Sequence, residues 1–186
     1  MLQAYETLRK PRASMVQAEA RQNGKRYDSD YENMEQRDEE IRRATASVPE
    51  QDRVLLTYHD SFPYFARKFK YEIIGAIQPQ SFSDPSAQDV AAIISQVKES
   101  GVSAIFGSEV FPSPVLEQIG KETGVKYVDS LRDDDLPGKP GSAEHSWAGL
   151  LKQDFITIVT NLGGDAAALK ALNVDLGLED KAYYPQ

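Results

Sequence analysis

The sequence predicts an α/β fold: a four-stranded parallel sheet with helices on both faces, preceded by a long helix. Two observations indicate this class. Short apolar segments alternate with longer amphipathic ones, and turns rich in Gly, Pro, Asp and Ser separate them. Strands that alternate with helices pair in parallel, because each crossover helix returns the chain to the same edge of the sheet.

The long helix is predicted over residues 27–48, where apolar side chains recur at threes and fours and Pro49 ends the pattern. Residues 1–26 have few large apolar side chains, so we expect this start to be poorly ordered or partly helical. Residues 49–186 form the predicted α/β lobe.

Within this lobe the predicted strands are "RVLLTY", "YEIIGAI", "VSAIFG" and "VKYVDSL". The predicted helices are "SFPYFARKF", "DPSAQDVAAIISQVKESG", "SPVLEQIGKETG", "SWAGLLKQDFITIVTNLGG" and a short "DAAALKAL". We expect Ser61 to cap the first of these helices, Pro63 to lie in its first turn and Gly101 to end the second.

Composition excludes several functions. The net charge is −8, and a basic start (residues 1–27) precedes an acidic body, which argues against nucleic-acid binding. The absence of cysteine excludes disulfide scaffolds, thiolate metal sites and thiol nucleophiles. No apolar run reaches the roughly 20 residues of a membrane span, and the first residues lack the apolar core of a secretory signal.

The two histidines are the candidate ligands of a metal ion. His59 directly follows the first predicted strand, and His145 precedes the last long helix. Both positions fall where a parallel sheet places its binding edge, and imidazole is a common ligand of transition metals. Spacing alone leaves open the simpler interpretation of one capping and one surface histidine.

Carboxylates near these positions supply supporting candidates. Asp60 follows the first strand and either holds a ligating imidazole by a hydrogen bond or caps the next helix. Glu109 follows the third strand and has the same two alternatives, with direct metal ligation as a third. "RDDD" at 132–135 lacks the ligand pattern of a calcium loop and is read as a solvated turn. No nucleophile elbow, zinc-protease motif or glycine-rich phosphate loop occurs. Aromatic residues flank the histidines as candidate walls of a dry pocket: Phe62, Tyr64, Phe65 and Trp147.

Three stretches resemble a known family: "YHDSFPYFARKFKYEIIGAIQ", "SAIFGSEVFPSPVLEQIGKETGVKYVDSL" and "EHSWAGLLKQDFITIVTNLGGD". Together they are similar to the C-terminal lobe of the substrate-binding proteins of zinc/manganese ABC importers (cluster A-I), also called adhesin-like. The resemblance covers about residues 28–172. It implies two α/β lobes joined by a rigid helix, to which residues 27–48 correspond, and one transition-metal ion in the cleft, held by two side chains from each lobe.

The resemblance places His59 and His145 at the two ligand positions of this lobe, with Zn²⁺ or Mn²⁺ as the bound ion. It also implies an extracytoplasmic location, in the periplasm or anchored at the cell surface, and a membrane permease as partner. The export signal, the N-terminal lobe and its ligands have no counterpart in this sequence, and residues 1–27 do not resemble what precedes the helix. The chain therefore looks truncated at its N-terminus.

We expect a metal-binding, non-enzymatic component of an importer that delivers a divalent transition metal to the permease. The uncovered apolar face implies contact with a missing N-terminal lobe or self-association. An alternative is an isolated lobe without transport activity, acting as an interaction module or remaining as a non-functional remnant. A third is a small metalloenzyme with Asp60 or Glu109 as general base.

Overall fold

The computed structural model describes residues 31–78, 85–108, 113–132 and 135–175, and for residues 31–37 and 78 it describes the backbone alone. The chain divides into two compact units, Met1–Glu39 and Glu40–Gln186. The expectations for residues 1–26 and for Glu109 lie outside the described residues.

Six α-helices, one short 3-10 helix (Glu50–Asp52) and four strands make up the regular structure of the described residues. The helices are α1 Tyr31–Ala46, α2 Pro63–Phe69, α3 Ala87–Ser100, α4 Pro114–Thr123, α5 Trp147–Asn161 and α6 Ala167–Ala171. The strands are β1 Val54–His59, β2 Glu72–Gln78, β3 Ala104–Ser108 and β4 Lys126–Leu131. Each strand and helix predicted for the lobe is present, with ends shifted by a few residues.

The four strands form one parallel sheet in the order β2-β1-β3-β4, which confirms the predicted fold class. Thr57 of β1 lies opposite Phe106 of β3, and His59 lies opposite Gln78 of β2. From β1 the chain moves outward to β2, then crosses back to β3 and continues in the other direction to β4. The sequence order thus reverses between β1 and β3, and ligands of open α/β sheets bind at the carboxyl ends of strands at such a switch point.

The sheet separates two apolar cores. Leu55 points into one core and its neighbour Leu56 into the other, since successive side chains of a strand face opposite sides. The first core is closed by α2, α5, α6 and the end of α1, and the second by α3 and α4. Burial on both faces explains why the strands read as continuous apolar runs.

Serine caps begin three of the helices. The hydroxyls of Ser86, Ser113 and Ser146 each accept a hydrogen bond from a backbone N–H in the first turn of α3, α4 and α5. The expectation that Ser61 caps α2 is wrong: the cap position is Phe62, with no side-chain hydrogen bond, and Pro63 begins the helix. Ser61 lies one residue too early for its hydroxyl to occupy the cap position.

Candidate metal site

The carboxyl ends of β1, β3 and β4 enclose a small pocket, which we call the ion pocket. Its volume is about 10 Å³, which is close to the space that one water molecule requires. A space of this size can hold a single small ion. Nine described residues line it: Thr57, Tyr58, His59, Phe62, Phe106, Gly107, Ser108, Leu131 and Arg132.

His59 lies where the sequence predicted it, at the last position of β1 and in the wall of the ion pocket. Its backbone is held in place because the Thr57 hydroxyl donates a hydrogen bond of 2.7 Å to the His59 carbonyl oxygen. Its half-buried ring packs edge-on against Tyr58, with 4.6 Å between ring centroids. The imidazole is therefore held at the switch point of the sheet and is partly accessible from solvent.

His145 lies in the loop before α5 and is buried, with 9% of its surface exposed. Its Nδ1 is 3.2 Å from the carbonyl oxygen of Pro137. A carbonyl oxygen can only accept, so this contact places a proton on Nδ1, and in the neutral ring the lone pair is then on Nε2. Metal-binding histidines commonly donate their other N–H in this way. His145 is not among the described residues that line the ion pocket.

The loop that carries His145 packs closely against the first turn of α5. The backbone N–H of His145 donates to the Ser142 carbonyl, and that of Ser146 to the Glu144 carbonyl. A side chain at Gly149 would collide with the Glu144 backbone, so glycine permits this close approach. The position of His145 is thus set by the local backbone.

Neither of the two supporting carboxylates is found in the wall of the ion pocket among the described residues. Asp60 is exposed and does not line the ion pocket, and Glu109 lies outside the described residues. Of the "RDDD" segment, Arg132 lines the pocket and Asp135 is exposed, while Asp133 and Asp134 lie outside the described residues. Among the residues whose positions are described, no group of three or more His, Cys, Asp or Glu side chains forms a metal-ion cluster.

A larger apolar cavity of about 400 Å³ lies between α2 and α5, and we call it the aromatic groove. Tyr64 and Trp147 on its walls are 78% and 53% exposed. The expected aromatic wall is therefore present, although it bounds the groove rather than enclosing both histidines. Its lining includes Ile41, Phe62, Tyr64, Phe65, Phe69, Arg132, Trp147, Leu150, Leu151, Asp154 and Phe155.

Sequence reasoning missed three polar residues that the fold brings to this region. Thr57 and Ser108 are buried hydroxyl residues of the central strands, and both line the ion pocket. Asp154 is a buried carboxylate on α5, with 2% of its surface exposed. The signal that could have found it is a lone acidic residue within the apolar stripe of "LLKQDFITIV".

A parallel sheet with an imidazole in an ion-sized pocket at its switch point defines a class: an α/β binding protein for a small ligand. The chain belongs to the family of the periplasmic zinc-uptake complex component A, whose family model matches residues 7–161. None of the helices in the described parts of the chain has the length and apolar character needed to cross a bilayer.

Two curated relatives share about a quarter of their residues with this chain. It is 26% identical to the zinc-binding protein TroA of Treponema pallidum over 162 residues, covering 85% of this chain and 51% of TroA. It is 27% identical to the manganese-binding lipoprotein MntA of Bacillus subtilis over 146 residues, covering 76% of this chain and 47% of MntA. The chain thus spans about half the length of the curated relatives it matches.

Solved structures show the same fold. The periplasmic zinc-binding protein TroA from Treponema pallidum matches with a TM-score of 0.65 and 26% identity, over 82% of this chain and 57% of that chain. Fe(III)-bound YtgA from Chlamydia trachomatis matches with a TM-score of 0.58 over 72% of this chain and 50% of that chain. At 20% identity, YtgA supports the fold alone.

These findings confirm the predicted family resemblance. The relatives named here are metal-binding proteins rather than enzymes, in agreement with the expected non-enzymatic function. One expectation is wrong: the family match begins at residue 7, so the likeness includes much of the N-terminal stretch that we considered unrelated.

Proposed function

We propose that this chain is the metal-binding, C-terminal lobe of the solute-binding component of a zinc/manganese ABC importer. It captures a divalent transition metal outside the cytoplasm and delivers it to the membrane permease. The observation that supports this proposal most is the position of His59, held by a short strand-end hydrogen bond in the wall of an ion-sized pocket. Membership of the zinc-uptake family supports the same cargo.

The ligand chemistry favours zinc over manganese. Imidazole nitrogen binds zinc, copper and nickel well, whereas manganese is better matched by carboxylate and water oxygens. His59 and His145 are the proposed protein ligands, and two imidazoles leave coordination positions for other donors around a four-coordinate zinc ion. Asp60 and Glu109 are the proposed hydrogen-bond partners that orient the ligands.

The assignment of His145 as the second ligand has less structural support than that of His59. His145 has the Nδ1 hydrogen bond expected of a metal ligand, yet it does not line the ion pocket among the described residues. Arg132 does line that pocket, and Asp133 and Asp134 follow it directly in the chain. A carboxylate at either position is therefore the competing candidate for the second ligand.

Calorimetric titration with zinc tests the proposal. We expect measurable binding by the wild type and a loss of at least about tenfold in affinity for His59→Gln and for His145→Gln, because each removes one imidazole donor. Asp133→Asn and Asp134→Asn serve as matched variants that remove one competing carboxylate each. Thermal unfolding without metal controls for damage to the fold.

The outcomes separate the alternatives. Equal isotherms for the wild type and His59→Gln would remove His59 from the site and contradict the proposal. A loss confined to an aspartate variant, with His145→Gln unchanged, would transfer the second ligand from His145 to the segment after β4.

The aromatic groove bears on the partner of this lobe. The chain corresponds to about half of its relatives, and the groove leaves Tyr64 and Trp147 exposed. We propose that a complementary lobe, equivalent to the rest of the relatives' length, covers this surface. Light scattering during the zinc titration measures the molecular mass, and the mass of a dimer would indicate that a second copy of the chain covers the groove instead.

The alternative function, an interaction module without transport activity, is favoured by the same groove. It predicts that the chain binds a protein partner through the aromatic groove, whether or not zinc is present. Absence of zinc binding by a folded wild type would favour this alternative over metal capture.

A further inference from the structure

Asp154 is the buried carboxylate of the described residues, and it lies on an apolar helix face that packs against the sheet. Removing a carboxylate from water is unfavourable unless hydrogen bonds replace its hydration. A buried acid at this position therefore requires a specific partner, and the structure shows one at the end of a neighbouring strand.

That partner is the backbone of Arg132. Its N–H donates to Asp154 Oδ1 at 2.9 Å. Arg132 is the first residue after β4, so this hydrogen bond holds the peptide unit at which the chain leaves the sheet. The preceding residue, Leu131, is paired with Ser108 of β3. The bond to Asp154 extends the fixed backbone by one residue beyond the strand pairing.

The residue that carries this N–H also lines the ion pocket. Arg132 lines that pocket together with His59 and Ser108. On its other side, Arg132 lines the aromatic groove together with Asp154 itself. Asp154 does not line the ion pocket, and its hydrogen bond to the Arg132 N–H connects it to a residue that does.

We propose that Asp154 is a positioning residue for the ion pocket: its carboxylate fixes the Arg132 peptide at the end of β4. This inference rests on the proposed function, since the ion concerned is the metal captured at His59. It adds a residue on α5, in a different element from the proposed ligands, that determines the shape of the site. Groups that hydrogen-bond directly to a metal ligand commonly alter metal affinity by about 10–100-fold. Asp154 contacts the Arg132 backbone instead, so we expect an effect near the lower end of that range.

The test compares Asp154→Asn with Asp154→Ala. Asparagine keeps an oxygen that accepts the Arg132 N–H, whereas alanine removes it. We expect Asp154→Ala to weaken zinc binding by about tenfold or more, and Asp154→Asn to stay within about threefold of the wild type. Asp165→Ala is the matched control, because Asp165 Oδ1 also accepts a backbone N–H, from Ala167 at 2.8 Å, but does not line the ion pocket.

A second readout is hydrogen exchange of the Arg132 amide, measured by NMR on the metal-free protein. We expect slow exchange in the wild type and in Asp154→Asn, and faster exchange in Asp154→Ala. This measurement does not depend on zinc. If the wild type fails to bind zinc, the proposed function fails, while the exchange data still decide whether Asp154 fixes the Arg132 peptide.

Three results would overturn the inference. The first is unchanged zinc affinity in a folded Asp154→Ala variant. The second is an equal loss in Asp154→Asn and Asp154→Ala, which would assign the effect to the negative charge rather than to the hydrogen bond. The third, which applies even where Asp154→Ala fails to fold, is fast exchange of the Arg132 amide in the wild type.

Discussion

Gly107 shows how one missing side chain allows close packing between two strands. It is a residue of β3 in the pocket wall, and an added Cβ would lie 2.7 Å from the hydroxyl oxygen of Tyr127 on β4. That hydroxyl is held in turn, because it accepts a hydrogen bond from the Ser113 N–H at 3.3 Å. Glycine therefore lets an aromatic ring of the neighbouring strand lie directly against the β3 backbone.

We predict that Gly107→Ala destabilises the protein by about 1–3 kcal/mol, because the Tyr127 ring must move away from its hydrogen bond. Urea denaturation measures the change. Gly75→Ala on β2 is the matched control, since its nearest contact would be an ordinary 3.4 Å to the Leu56 side chain. We expect the control to be neutral or stabilising, as alanine suits a strand better than glycine. Equal effects for the two variants would contradict this account.

At the scale of residues, the sequence indicates some site positions and conceals others. His59 is predictable because a histidine after an apolar strand falls at the binding edge of a parallel sheet. The pairing of Asp154 with the Arg132 N–H joins positions 22 residues apart. It depends on how α5 packs against β4, and no local pattern encodes that packing.

Among the elements, α3 has a complete capping box at its N-terminus. Ser86 Oγ accepts from the Asp89 N–H, and Asp89 Oδ2 accepts from both the hydroxyl and the N–H of Ser86. These bonds, chiefly the one from the hydroxyl, hold the pKa of Asp89 below its ordinary value of 3.8. The two side chains thus satisfy backbone groups that the first turn leaves unpaired.

We predict that Asp89 makes the stability of the protein dependent on acid pH. Because its folded-state pKa is lowered, its contribution is present above about pH 4 and is lost as the pH falls below that value. Melting temperatures between pH 6 and pH 3 should therefore decline more steeply for the wild type than for Asp89→Asn. Parallel pH profiles for the two proteins would show that the capping carboxylate contributes nothing.

Most elements were predictable, because period-2 and period-3.6 patterns reflect burial on the two faces of the sheet. The exception is the start of α2. Ser61 and Pro63 are both typical of helix N-termini, but a proline at the first helical position assigns the cap to Phe62. Sequence preference suggested a serine cap, and the fixed backbone angle of proline determined the actual boundary.

For the molecule as a whole, two tyrosines on opposite faces of the sheet respond to alkaline pH. Tyr71 packs in one core and donates its hydroxyl to the Thr45 carbonyl at 2.9 Å, which ties the end of α1 to the lobe. Burial raises its pKa well above the ordinary value of 10. Tyr127 packs against the other core, and burial also raises its pKa.

We predict that stability falls as the pH rises beyond about 10. For a raised folded-state pKa, the contribution is complete below the unfolded-state value and is lost as the pH rises through the folded-state value. Tyr71→Phe should lower the melting temperature at neutral pH, because it leaves the Thr45 carbonyl without this donor, and should flatten the alkaline decline. Tyr64→Phe, at an exposed position, is the control that should change neither.

The strand order is the feature of the whole molecule that the sequence left open. Alternating strands and helices predict a parallel sheet, but several orders obey the same connection rules. The observed order β2-β1-β3-β4 places β1 and β3 side by side, and this makes the end of β1 a switch point. The resemblance to a family indicated His59 as a candidate ligand, and the topology places this residue at the switch point.

Trp147 is the only tryptophan in the chain. It lines the aromatic groove, and Arg132 in the same groove also forms a wall of the ion pocket. The emission wavelength and intensity of an indole depend on the polarity of its surroundings, so Trp147 is an intrinsic fluorescent probe of this region. Fluorescence of this one side chain therefore offers a single signal with which to test both the proposed metal binding and the proposed covering of the groove.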